Sequence, residues 1–171
     1  LSISGTDKDS FELDGTTLKL KDSVSADFET DASYSITLTA TDSADNTVSK
    51  DYTISVTDVN ETPSALALSA STFAENAAGV TVGTLSATDP DSGETFTYAI
   101  SGTDKDSFEL DGTALKLKDT VSADFETDAS YSITLTATDS ADNTVSKDYT
   151  ITVSDVNETP SITSASMSTL S

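Results

Sequence analysis

Apolar residues along this chain alternate with polar ones in short runs and do not recur at helical spacing. Tyr131, Ile133, Leu135 and Ala137 alternate with Ser132, Thr134 and Thr136, and Phe96, Tyr98 and Ile100 follow the same period of two. That period predicts strands with one buried face. Phe108 and Leu110 lead into Asp111-Gly112, and Leu115 and Leu117 lead out, which is the signature of a β-hairpin. Val145, Tyr149, Ile151 and Val153 predict a return strand. The parity of Val80, Val82, Leu85 and Ala87 changes at Gly83, as in an edge strand with a bulge. Asp89-Pro90-Asp91-Ser92-Gly93 is a turn, and Phe73 is the one large anchor of the polar stretch before it. No window has the i, i+3, i+4, i+7 spacing of a helix, and the β-branched content favours strands.

The pattern repeats. Residues 1–64 match residues 98–161 at 58 of 64 positions with a constant offset of 97. The expected organisation is the C-terminal two-thirds of one repeat over residues 1–61, a complete repeat over 62–158, and the first strand of a following repeat over 159–171. About seven strands per repeat predict an all-β fold of tandem Greek-key sandwiches, the first copy truncated at its N-terminus. Leu1-Ser2-Ile3 corresponds to Tyr98-Ala99-Ile100, so the first copy lacks its leading strands. It is expected to expose a core face and open edges, and to be mobile, rearranged or completed by another chain.

Charge narrows the partners. The 171 residues carry thirty acids against eight lysines, a formal charge of −22, with neither arginine nor histidine. Such a surface repels nucleic acid and anionic membranes and suits cations. The alternating strands argue against the disorder that acidity alone would suggest. Without histidine or cysteine there is no imidazole-activated serine and no thiolate nucleophile, so no enzyme is expected. No apolar run has the length of a membrane span, and no contact of this fragment with a membrane is expected.

Oxygen-bearing residues are concentrated outside the core face. Asp58-Val59-Asn60-Glu61-Thr62-Pro63 returns unchanged as Asp155-Val156-Asn157-Glu158-Thr159-Pro160, where one alternating run ends and the next copy begins. Carboxylates, amides and backbone carbonyls are the ligands a hard cation prefers, and the closing proline stiffens the exit. Four further motifs recur: Glu75 in Glu-Asn-Ala, Asp89 and Asp91 in Asp-Pro-Asp, Asp124 and Glu126 in Asp-Phe-Glu, and Asp139 in Ala-Thr-Asp.

In order and spacing these five motifs resemble those of the cadherin repeat, in the bacterial-type form found in large calcium-dependent adhesins. The resemblance implies three calcium ions between successive domains. It assigns Asp27, Glu29, Val59, Asn60, Glu61, Thr62, Asp89, Asp91 and Asp139 as ligands of one junction, with Val59 and Thr62 acting through backbone oxygens. Glu75, Asp124, Glu126, Asn157 and Glu158 belong to the next. The sequence departs from the animal pattern at Phe28 and Phe125, which stand for arginine, at Ala26 and Ala123, which stand for leucine, and at Glu61 and Glu158, which replace the linker aspartate. Glutamate keeps a bidentate carboxylate one methylene further out.

The implied function is a calcium-stiffened extender of a secreted or cell-surface adhesin, whose partners are calcium ions and neighbouring repeats. The alternative is adhesion by the domains themselves, through homophilic contact with another copy or through polysaccharide. Thr134, Thr136 and Thr138 with Thr150 and Thr152 form a second candidate surface, a hydroxyl ladder for sugar or ice, although threonine also simply suits an exposed β face. A role as a calcium-triggered folding aid in secretion is a further alternative.

Overall fold

The computed structural model describes residues 1–160, so the expected strand over residues 159–171 lies almost wholly outside the described residues. The chain divides into two compact units, Leu1–Glu61 and Thr62–Ser171.

The first unit contains β1 (Ser2–Ser4), β2 (Phe11–Asp14), β3 (Thr17–Leu20), β4 (Ser33–Thr41) and β5 (Thr47–Ser55). They form the sheets β1-β4-β5 and β2-β3. The second unit contains β6 (Ala65–Leu68), β7 (Thr72–Ala74), β8 (Thr81–Thr88), β9 (Thr97–Ser101), β10 (Phe108–Asp111), β11 (Ala114–Leu117), β12 (Ser130–Thr138) and β13 (Thr144–Ser154). Its sheets are β10-β11-β8-β6 and β7-β13-β12-β9. The fold is all-β, with single three-residue 3-10 turns at Lys8–Ser10 and Lys105–Ser107.

The leading strand of the second unit is broken. β6 pairs antiparallel with β8 in one sheet, whereas β7 crosses over and pairs parallel with β13 in the other. The seven expected strands therefore occupy eight ranges, and both sheets are held by the same short segment. The predicted hairpin is present, with Asp111 opposite Ala114 and Gly112 at φ 60°, the left-handed region that a tight reversal requires.

One expectation is corrected. β8 lies between β11 and β6 and is not an edge strand. The irregularity at Gly83 is real: Leu115 faces Gly83 but Lys116 faces Thr81, so the register skips a residue. Two adjacent residues, Val82 and Gly83, are both buried as a result. A Cβ on Gly83 would meet the carbonyl oxygen of Ala70 at 2.7 Å. The parity break thus marks close backbone approach inside the sandwich, a signal that also occurs at sheet edges.

The core of the second unit is continuous. Leu115, Leu117, Leu135, Ala137 and Ile151 have no exposed surface, and Leu66, Phe73, Val82 and Leu85 close over them. Tyr131 lies between Phe108, edge-to-face at 5.4 Å, and Phe73, stacked at 6.4 Å. The first unit has only Phe11, Tyr34 and Ile36 buried, with partly buried neighbours. Its strands are not rearranged: Ile3↔Leu38 and Tyr34↔Ile54 keep the registers Ile100↔Leu135 and Tyr131↔Ile151. Leu18, Leu20, Ile54 and Val56 are half-buried.

Of the outward threonines, Thr134, Thr136 and Thr138 are half-buried and Thr150 and Thr152 are exposed. Thr134 donates to Asp148 at 2.7 Å and Thr136 shares a hydrogen bond with Ser146 at 2.8 Å, so these hydroxyls tie β12 to β13. This pairing engages two of the five hydroxyls of the candidate ladder.

Candidate metal centre

Nine paired positions, from Ser130↔Thr152 to Thr138↔Thr144, set the two ends of the second unit about 25 to 30 Å apart. The sequence motifs collect at these ends.

At the end where β7 and β13 finish, Glu75, Glu126, Asp155 and Glu158 each present a carboxylate oxygen, all within 4.8 Å of one another. Glu75 anchors the group and is 4% exposed. Its Oε2 accepts the Phe125 N–H at 2.8 Å and its Oε1 accepts the Val156 N–H at 2.7 Å. Those two backbone bonds, Phe125 first, hold the Glu75 carboxyl below its ordinary range. Asn76 follows in the left-handed region at φ 62°, which asparagine tolerates, and its Nδ2 donates to Glu158 Oε1 at 2.7 Å. Glu-Asn-Ala is therefore a local device: the glutamate turns inward while the asparagine grips the linker.

Glu126 behaves differently. Its own backbone N–H favours the charged form, but desolvation and the charges of Glu75, Glu158 and Asp155 outweigh it and push the carboxyl up. Asp124 lies outside the quartet. Its Oδ1 accepts the N–H groups of Glu126 and Thr127, and its Oδ2 accepts the Thr127 hydroxyl at 2.9 Å, so it shapes the turn that carries Glu126. Asn157 donates from Nδ2 to the Glu158 carbonyl at 3.1 Å.

At the opposite end, burial pushes up the Asp139 carboxyl. The Asn143 side chain and the N–H groups of Asn143 and Ala141 outweigh that effect and hold it below its ordinary range. Asp139 is 6% exposed. Asn143, in the turn after β12, is what orients it. Asp89 is pushed up, first by desolvation and then by Asp91, Asp139 and Glu94. Its Oδ1 accepts the Asp91 N–H at 3.1 Å, while its Oδ2 is buried with no hydrogen-bond partner. A buried carboxylate oxygen without a donor is costly unless a cation supplies the missing charge.

In the first unit, Glu29, Asp58 and Glu61 bring carboxylate oxygens within 4.8 Å of one another. Asp27 repeats the turn-forming role of Asp124, with Thr30 holding its carboxyl low. Asn60 is half-buried and Val59 is exposed. Thr62, the first residue of the second unit, is exposed.

Two participants were missed among the candidate ligands, Asp58 and Asp155. Both open the recurring Asp-Val-Asn-Glu-Thr-Pro stretch, so the repeat itself carried the signal. An all-oxygen donor set of this charge fits a hard divalent cation and does not fit a soft one.

A family model for the cadherin domain matches residues 69–154, which span β7 to β13 and the acids between them. The chain belongs to the cadherin domain family. Among solved structures it is similar to protocadherin gammaB7 EC3-6, described as a cis-dimer, at 27% identity and a TM-score of 0.67 over 92% of this chain and 40% of that one. It is similar to protocadherin gammaB3 EC1-4 at 25% identity and a TM-score of 0.74, covering 91% and 40%. Human protocadherin-24 EC1-2, at 21% identity and a TM-score of 0.66 over 91% and 81%, shares the fold. No curated protein sequence matches. The chain spans about 40% of the length of the gammaB7 and gammaB3 chains. Cadherin domains bind calcium in general, and the quartet around Glu75 is made of acidic groups that could hold such an ion.

Proposed function

We propose that this cadherin chain is a calcium-binding, calcium-rigidified extender of a secreted or cell-surface adhesin. The observation that carries the reading is the quartet Glu75, Glu126, Asp155 and Glu158, because it joins the domain body to its outgoing linker. Glu75 and Glu126 belong to the sandwich, whereas Asp155 and Glu158 lie in the stretch that follows β13. Without a cation, four carboxylates repel and drive the linker away from the body. Calcium reverses that sign, ties linker to body and fixes the direction in which the next repeat departs. Asp89, Asp91 and Asp139 at the other end are offered to the linker of a preceding repeat, with Asp27, Glu29, Asn60 and Glu61 as the corresponding donors of the first repeat.

Near-identical copies suit a part whose task is length, and the arginine-free, Ser/Thr/Asp-rich composition supports a bacterial surface protein. Catalysis is not part of this reading, since the chain has no histidine or cysteine. Affinity falls in the extracellular range of about 10⁻⁴ to 10⁻³ M. The test is hydrogen exchange of residues 155–158 with calcium and with chelator, in the wild type and in Glu126→Gln/Glu158→Gln. Calcium should slow exchange of the linker amides in the wild type only, and equal exchange in all four samples would refute the reading.

The second reading is adhesion by these domains themselves, supported by the cis-dimer described for protocadherin gammaB7. Sedimentation of the chain in calcium separates the two: a concentration-dependent dimer favours adhesion, and a monomer favours the spacer.

A further inference from the structure

The parallel pairing of β7 with β13 ends at Ala74↔Ser154, yet the contacts that prolong it run on into the linker. The Glu75 N–H donates to the Ser154 carbonyl at 3.2 Å, the last rung made by backbone alone. Two residues further along, the Val156 N–H meets the Glu75 carboxylate at 2.7 Å where a strand would have offered a carbonyl. Two residues beyond that, Glu158 Oε1 accepts a hydrogen bond from Asn76 Nδ2 at 2.7 Å. The side chains of Glu75 and Asn76 thus continue, at every second residue, a ladder whose backbone has run out.

The two ends of Asn76 are committed to different parts of the protein. Its backbone N–H donates to the Ala123 carbonyl at 3.0 Å, which fastens it to the sandwich, while its side chain reaches the linker. Apolar packing holds the linker little, since Asp155, Val156, Asn157 and Glu158 are all exposed, so its path depends on polar contacts. Among the carboxylates of Glu75, Glu126, Asp155 and Glu158, Asn76 brings a neutral N–H donor that opposes their mutual repulsion. An oxygen that accepts one N–H keeps acceptor capacity for a cation, so the contact and an ion are compatible. Glu158 stands where the cadherin pattern has aspartate, and the extra methylene extends its reach toward the amide.

We propose that Asn76 is a positioning residue: it holds Glu158, and with it the outgoing linker, against the sandwich before any cation arrives. The linker then samples the docked arrangement in the absence of metal, against the repulsion of the quartet, and an ion tightens an arrangement that already exists. Where the calcium reading holds, on which this part rests, a partner that orients a ligating carboxylate raises affinity by removing the cost of assembling the site. Glu158 and Asn76 act as one unit, because shortening the acid and deleting the amide break the same hydrogen bond.

The test follows hydrogen exchange of the Val156 amide in the full chain, first in chelator. Asn76→Gly removes the side-chain amide and accepts the left-handed φ of 62° without strain. Glu158→Asp keeps the charge and shortens the reach. Each should speed Val156 exchange about tenfold, and the double variant should be no faster than either alone. The amides of Leu135 and Ile151 should exchange as in the wild type, which separates loss of the contact from loss of the fold. In calorimetric titration with calcium, Asn76→Gly should bind about tenfold more weakly. Unchanged Val156 exchange in Asn76→Gly, effects of the two variants that multiply, or an unchanged calcium affinity would each overturn the proposal. A wild type that binds no calcium overturns the calcium reading instead, and the measurements in chelator, which involve no ion, still decide whether Asn76 holds the linker.

Discussion

Glu75 Oε1 accepts the backbone N–H of Val156 at 2.7 Å, across 81 positions of sequence, while Oε2 of the same carboxylate accepts the Phe125 N–H. One side chain therefore ties β7, the turn before β12 and the outgoing linker together at the end of the sandwich. Replacing Glu75 by Gln substitutes a donor amide NH2 for one of two acceptor oxygens and sets it against an N–H. Glu75→Gln should lower the midpoint of thermal unfolding of the second unit by several degrees in chelator, checked by circular dichroism.

The same carboxylate predicts a pH dependence. Because its backbone partners hold Glu75 below its unfolded value, the stabilisation it gives is fully present above the ordinary carboxylate range. It is lost as pH falls through the folded-state value. Asp139 has the same sign, through Asn143. Denaturant midpoints measured in chelator should therefore decline as pH falls below about 4, and the decline should be shallower in Glu75→Gln.

Asp155 provides a direct test of the candidate metal centre. Asp155→Asn removes one of four charges from the quartet and leaves the sandwich untouched. Calorimetric titration should show calcium affinity reduced roughly tenfold or more, because affinity follows ligand charge count. The unfolding midpoint in chelator should hold or rise slightly, because the variant also relieves repulsion within the quartet.

Leu135 is completely buried in the core of the second unit. Leu135→Ala should cost about 2–5 kcal/mol by chemical denaturation.

Gly83→Ala should destabilise the second unit by about 1–3 kcal/mol, since the new methyl group lands 2.7 Å from the carbonyl oxygen and 2.9 Å from the nitrogen of Ala70, backbone atoms that cannot swing aside. Gly112→Ala, at an open turn with no atom within 4 Å, pays only the strain of its left-handed φ. A denaturant series on the two variants gives the ranking.

Much of this protein was readable from its residues alone. Strict alternation placed β12 and β13, Asp-Gly placed the hairpin, and recurrence at an offset of 97 exposed the duplicated unit, because each of these depends on neighbours along the chain. The oxygen-rich motifs were legible for the same reason, as short local devices. Tertiary structure decided what depends on distant partners. It placed β8 inside its sheet, brought Asp155 rather than Asp124 into the quartet with Glu75, and paired the hydroxyls of Thr134 and Thr136 across strands. Burial is likewise a property of what covers a residue: Leu66, Phe73, Val82 and Leu85 close over Leu115, Leu135 and Ile151, and that cover comes from strands far away in sequence.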